Sequence, residues 1–176
     1  MASWTKPTQQ QIKRAIALAG NKEQRRYLFD SLKNPLWVAP LNKEGLFKHP
    51  PEPIRKESTV AFPPWPESRY LARMASLSPN PAEILEIMLS TETDNASVWE
   101  DFVDAANALP ASLAKKLVSQ ITRWLQSPYL FRLPEKIGAL VSHLAAGGEG
   151  KAAIKLARAL FSVEPDPREA KERDAE

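Results

Sequence analysis

A chain of 176 residues, 43% of them hydrophobic, carries enough apolar side chain for a domain with its own core. Its 24 basic and 21 acidic residues leave a net charge of +3, without the marked basic excess of most nucleic-acid binders. There is no cysteine, which excludes disulfides, thiolate nucleophiles and cysteine zinc sites, while 6 glycines and 16 prolines suit helices joined by stiff connectors.

The N-terminal segment, residues 1–33, reads as helical. Ile12, Ile16 and Ala19 recur at helical spacing, Gly20-Asn21 offers a break, and Asn21 can cap a second helix carrying Tyr27, Leu28, Phe29 and Leu32. The apolar patch from Ala15 to Ala19 is too short to cross a membrane and follows a polar stretch. The expectation is a soluble, cytoplasmic protein with no membrane partner. Asn34-Pro35 closes this segment, because the residue before a proline is pushed out of the helical region.

Residues 34–66 change character. Prolines recur from Pro35 to Pro66, interleaved with Trp37, Phe47, Phe62 and Trp65. Disordered linkers are poor in aromatics, so this connector is expected to lie extended on neighbouring helices, its aromatic rings serving as anchors. A short helix from Val38 to Glu44, stopped by Gly45, fits within it.

From residue 67 to 163 the pattern is helical throughout and reads as three helix pairs. Tyr70, Leu71, Met74 and Leu77 share a face; Asn80 caps the next helix, with Pro81 at its first position and Ile84, Leu85, Met88 and Leu89 apolar. Asp94 or Asn95 starts the second pair, whose helices carry Val98, Phe102, Ala105, Ala106 and Leu109, then Leu113, Leu117, Ile121, Trp124 and Leu125. The third pair carries Ile137, Leu140, Val141 and Leu144, turns at 147–150, and continues with Ala153, Ile154, Leu156, Leu160 and Phe161. Leu89, Leu125 and Leu160 fall 36 and 35 positions apart, a period that two helices and two turns fill. Residues 164–176 are nearly all charged; a solvated tail and a linker into a following domain both fit them.

No cluster carries a catalytic or cofactor signature. His49 and His143 stand apart, with no partner at a metal-ligand spacing. Glu92, Asp94, Glu100, Asp101 and Asp104 surround one helix start, where acids favour the macrodipole. Gly147-Gly148-Glu149-Gly150 before Lys151 lacks the strand and spacing of a phosphate loop and reads as a turn. Lys13, Arg14, Lys22, Arg25 and Arg26 give the first helices a basic bias. A second basic set, Lys115, Lys116, Arg123, Lys151, Lys155 and Arg158, falls on the second helices of successive units and is the candidate surface for nucleic acid or a partner. Trp37 and Trp65, flanked by prolines, are candidate partner anchors or packed rings; Trp124 reads as core.

The Leu/Ala-rich second helices and the turns at Pro79-Asn80-Pro81 and Pro110-Ala111 resemble HEAT/armadillo-type α-solenoids. The stretch from Asn34-Pro35-Leu36-Trp37 through Pro50-Pro51 to Pro64-Trp65-Pro66 is similar to N-terminal regions of large bacterial multidomain proteins. The expected fold is thus all-α, a short HEAT-like stack. The solenoid resemblance implies a scaffold or recognition surface: a non-catalytic module, without cofactor or metal, that meets a protein partner or further domains of its own chain. Nucleic-acid binding through the second-helix basic set is the alternative.

Overall fold

The computed structural model describes residues 4–57 and 59–162. The fold is all-α, with packed helix pairs and one small hairpin. The chain opens with α1 (Gln9–Leu18) and α2 (Lys22–Ser31). Thr8 and Gln11 form a capping box on α1, each bonding the other's backbone N–H, and Asn21 Oδ1 caps α2 by accepting from Gln24 N at 2.9 Å. The connector holds a 3₁₀ turn (Pro35–Trp37), α3 (Val38–Lys43) and the antiparallel strands β1 (Ile54–Lys56) and β2 (Thr59–Ala61). Gly45 follows α3 at φ 78°, a left-handed conformation that favours glycine. The hairpin pairs Arg55 with Val60 and is absent from the sequence-based expectation.

The remaining helices are α4 (Pro66–Met74), α5 (Pro81–Ser90), α6 (Ala96–Ala108), α7 (Ala111–Ala114), α8 (Val118–Trp124), α9 (Leu133–Ala146) and α10 (Gly150–Phe161). A 3₁₀ turn at Lys115–Leu117 joins α7 to α8, so the single helix expected there is interrupted. Asn95, not Asp94, caps α6: its Oδ1 accepts from Ser97 N at 3.0 Å. Asn80 occupies the N-cap position of α5 but makes no side-chain cap bond. Helix α4 ends at Met74, which leaves Leu77 half exposed rather than on the packed face. Leu89 is also partly exposed.

The packing forms two layers. In one, α2 lies on α4, α4 on α6 and α6 on α9; in the other, α3 meets α5, α5 meets α7, and α8 meets α10. Both layers therefore begin ahead of Trp65, with α2 and α3. Their shared core runs the length of the stack, from Ile12 and Phe29 through Tyr70, Ile84, Phe102 and Ile121 to Leu144 and Leu156. Phe29, Phe47 and Tyr70 cluster with ring centroids 5.7–6.4 Å apart and bond the first helices to the rest. Among the described residues no helix is long and apolar enough to cross a membrane.

Candidate interaction surface

The candidate site grows from one buried asparagine. Asn95 is fully buried, and its Nδ2 donates to the carbonyls of Pro51 at 2.9 Å and Pro63 at 2.8 Å. Those two carbonyls flank the hairpin, so Asn95 clamps both of its arms to the start of α6. Phe62, just beyond β2, packs on Tyr129 and Phe131 at 5.4 and 5.5 Å. The hairpin is thereby held between α6 and the loop after α8, although a two-stranded ribbon of this length has little stability of its own.

A groove of about 810 Å³ lies beside it. Its floor is the edge of two stacked indoles, Trp99 of α6 and Trp124 of α8, with centroids 5.7 Å apart and planes 12° from parallel. Trp99 Nε1 donates to the Thr93 carbonyl at 2.8 Å, which fixes its ring against the loop after α5. The walls carry Arg55 from β1, Glu92 and Asp94 from that loop, Arg123 from α8, and Tyr129. Arg55, Glu92, Asp94 and Arg123 are exposed, and none forms an ion pair among the described residues. Aromatic edges below and uncommitted charges of both signs above suit recognition of a polar chain with apolar side groups.

The basic set anticipated on the second helices is exposed at all six positions, but the fold divides it. Lys115 is bridged to Glu149 at 2.9 Å. Lys155 donates to Ser119 Oγ at 3.0 Å, across the α8–α10 contact. Arg123 faces the groove. Lys151, Lys155 and Arg158 share one face of α10 at helical spacing, and Lys116 stands on the 3₁₀ turn. Of the basic residues near the N-terminus, Arg25 pairs with Glu67 and Arg26 with Asp30, the latter at 3.4 Å.

The two tryptophans offered as partner anchors lie differently. Trp65 is 3% exposed and packs on Phe102, so it belongs to the core. Trp37, on the first 3₁₀ turn, is half-buried against the core. His143 contacts the Leu109 carbonyl at 2.8 Å through Nε2, tying α9 to the end of α6. Glu67 is buried; desolvation raises its carboxyl above the ordinary range, against the opposing pull of Arg25. Sequence reasoning passed over Asn95 as more than a cap, because its second role needs carbonyls more than thirty positions upstream. The chain matches no described protein family, no curated protein and no solved structure.

Proposed function

We propose that this chain is a non-catalytic interaction module, built on helix pairs of the HEAT/armadillo kind, that takes an extended polypeptide segment into the groove over Trp99 and Trp124. The observation that carries this reading is the groove's lining: stacked aromatic edges beneath four charged side chains that form no ion pair among the described residues. Arg55 and Arg123 would take carboxylates or backbone carbonyls of the segment, and Glu92 and Asp94 its cations and N–H groups. The partner is another protein or a further domain of the same chain, met in the cytoplasm. The likeness of residues 34–66 to N-terminal regions of bacterial multidomain proteins belongs to the same reading.

Peptide-display selection on the full chain, followed by fluorescence-polarisation titration of the enriched peptides, tests it. Arg55→Glu with Arg123→Glu is expected to weaken their binding about tenfold or more, a loss of about 1.4 kcal/mol, while the thermal midpoint holds. Peptides that bind both proteins equally, or no saturable binding at all, would overturn the groove as the site. The alternative, nucleic-acid binding, is favoured by the stripe Lys151, Lys155 and Arg158 on α10. Its mark would be a salt-sensitive gel shift of duplex or single-stranded DNA that Lys151→Glu with Arg158→Glu abolishes.

A further inference from the structure

The hairpin beside the groove has a free edge, and its register fixes which backbone groups that edge offers. Lys56 stands opposite Thr59, Arg55 opposite Val60 and Ile54 opposite Ala61. Only two residues separate Lys56 from Thr59, so these two exchange both of their backbone bonds; the other antiparallel pattern would need a bond between adjacent residues. Glu57 accordingly takes φ 38° in the turn. Bonded and non-bonded pairs alternate along an antiparallel ladder, so Ile54 and Ala61 also bond each other while Arg55 and Val60 do not. The Arg55 N–H and carbonyl therefore point away from β2, and neither is bonded elsewhere among the described residues. All three residues of β1 are exposed. Among the described residues of the hairpin, only Arg55 lines the groove, so β1 borders it and β2 lies behind.

On the reading of the groove as a polypeptide site, we propose that the open edge of β1 takes the bound segment as an added strand, its backbone paired with Arg55. Unpaired N–H and C=O groups on a strand edge are a template for such addition. A residue set opposite Arg55 exchanges two backbone bonds with it, and its side chain shares the Arg55 face of the sheet. An acid at that position meets the Arg55 guanidinium and, across the groove, Arg123. A residue two positions away falls on the same face, where an apolar side chain covers Trp99 and Trp124. The partner is thus an extended segment with an acidic and a large apolar residue two positions apart. Proline limits the pairing: the next outward N–H of β1 would belong to residue 53, and Pro53 has none. The ladder stops there, which spares the edge from recruiting strand upon strand. Asn95 holds the hairpin by both arms, so the edge is presented in one position and little ordering is left to the binding step.

Short fluorescein-labelled peptides enriched by display on the full chain are the probes. N-methylation of their backbone, one residue at a time, is expected to weaken binding about tenfold at the residue opposite Arg55 and little at its immediate neighbours, whose N–H groups point away. By NMR, the Arg55 amide should exchange at least about tenfold more slowly in the complex than in the free protein. A flat N-methylation profile, or an Arg55 amide that exchanges as fast bound as free, would overturn strand addition. The groove itself survives that result if Arg55→Glu with Arg123→Glu still weakens the same peptides. Peptides indifferent to that double substitution, or no saturable binding, would sink both the added strand and the groove.

Discussion

Glu67 stands at the first turn of α4 with its side chain 1% exposed, and among the described residues its Oε2 has no hydrogen-bond partner. Its other oxygen pairs with Arg25, whose side chain remains 41% exposed. Desolvation costs the carboxylate more than the guanidinium does, since only one of the two left water, and the carboxyl is accordingly raised. Arg25 is thus a counter-charge that opposes this rise beneath α2. Arg25→Ala is expected to destabilise the fold by about 2 kcal/mol at neutral pH, below the full cost of breaking a buried pair because Glu67 can take up a proton instead. Loss of the arginine raises the Glu67 carboxyl further, so the deficit should shrink in acid and grow in base. Urea unfolding at two pH values checks this; a deficit that does not change with pH would mean that Arg25 acts through its stem, not its charge.

At the scale of elements, close approach and empty space alternate along α9. A Cβ placed on Gly147, just past its end, would fall 2.2 Å from Ala111 Cβ at the start of α7. On Gly138, inside the same helix, a Cβ would meet nothing within 4 Å. Gly147→Ala is expected to cost about 1–3 kcal/mol through overpacking. Gly138→Ala should add about 0.5–1 kcal/mol, because alanine loses less backbone freedom in a helix. Chemical denaturation of the two variants side by side reads the difference, and a shared sign would show that the α7–α9 contact yields easily. The same alternation separates the connector's parts. Its helix α3 was legible as a short helix from Val38 to Glu44 stopped by Gly45. Its hairpin was not, since strands of three residues show no period, although Ile54, Thr59 and Val60 are β-branched.

For the whole molecule, the consequential contact is that of α2 with α4 and α3 with α5, which continues both layers to the N-terminal side. Phe29 is completely buried, lies among Phe47 and Tyr70, and is an apolar link across that seam. Arg73 reinforces it by donating to the Phe29 carbonyl at 2.5 Å, and Tyr70 OH donates to the Asn34 carbonyl at 2.7 Å. Phe29→Ala should cost about 3–5 kcal/mol and lower a single unfolding transition recorded by both tryptophan fluorescence and circular dichroism. Two separated transitions would mean that the N-terminal helices fold as a unit of their own.

What was readable in advance, and what was not, follows from the range of the interactions. The helices, most of their boundaries and most of their apolar faces were legible, because caps, prolines and 3.6-residue spacing act within a turn or two of chain. Thr8, Asn21 and Asn95 each signal a helix start through a bond no more than three residues away. The apolar spacing of Phe102, Ile121 and Trp124 likewise placed them in the core. The groove was not legible. Its floor joins Trp99 to Trp124, its rim borrows Arg55 from a hairpin, and that hairpin is held by Asn95 reaching back to Pro51 and Pro63. The basic set on the second helices was likewise legible as residues but not as a surface. Lys115 found Glu149 and Arg123 turned into the groove, while only the α10 trio kept a common face. Local chemistry alone determined an all-α chain of helix pairs; tertiary packing decided which charges were spent on one another and which formed no ion pair among the described residues, because pairing between distant residues exists only once the layers have closed.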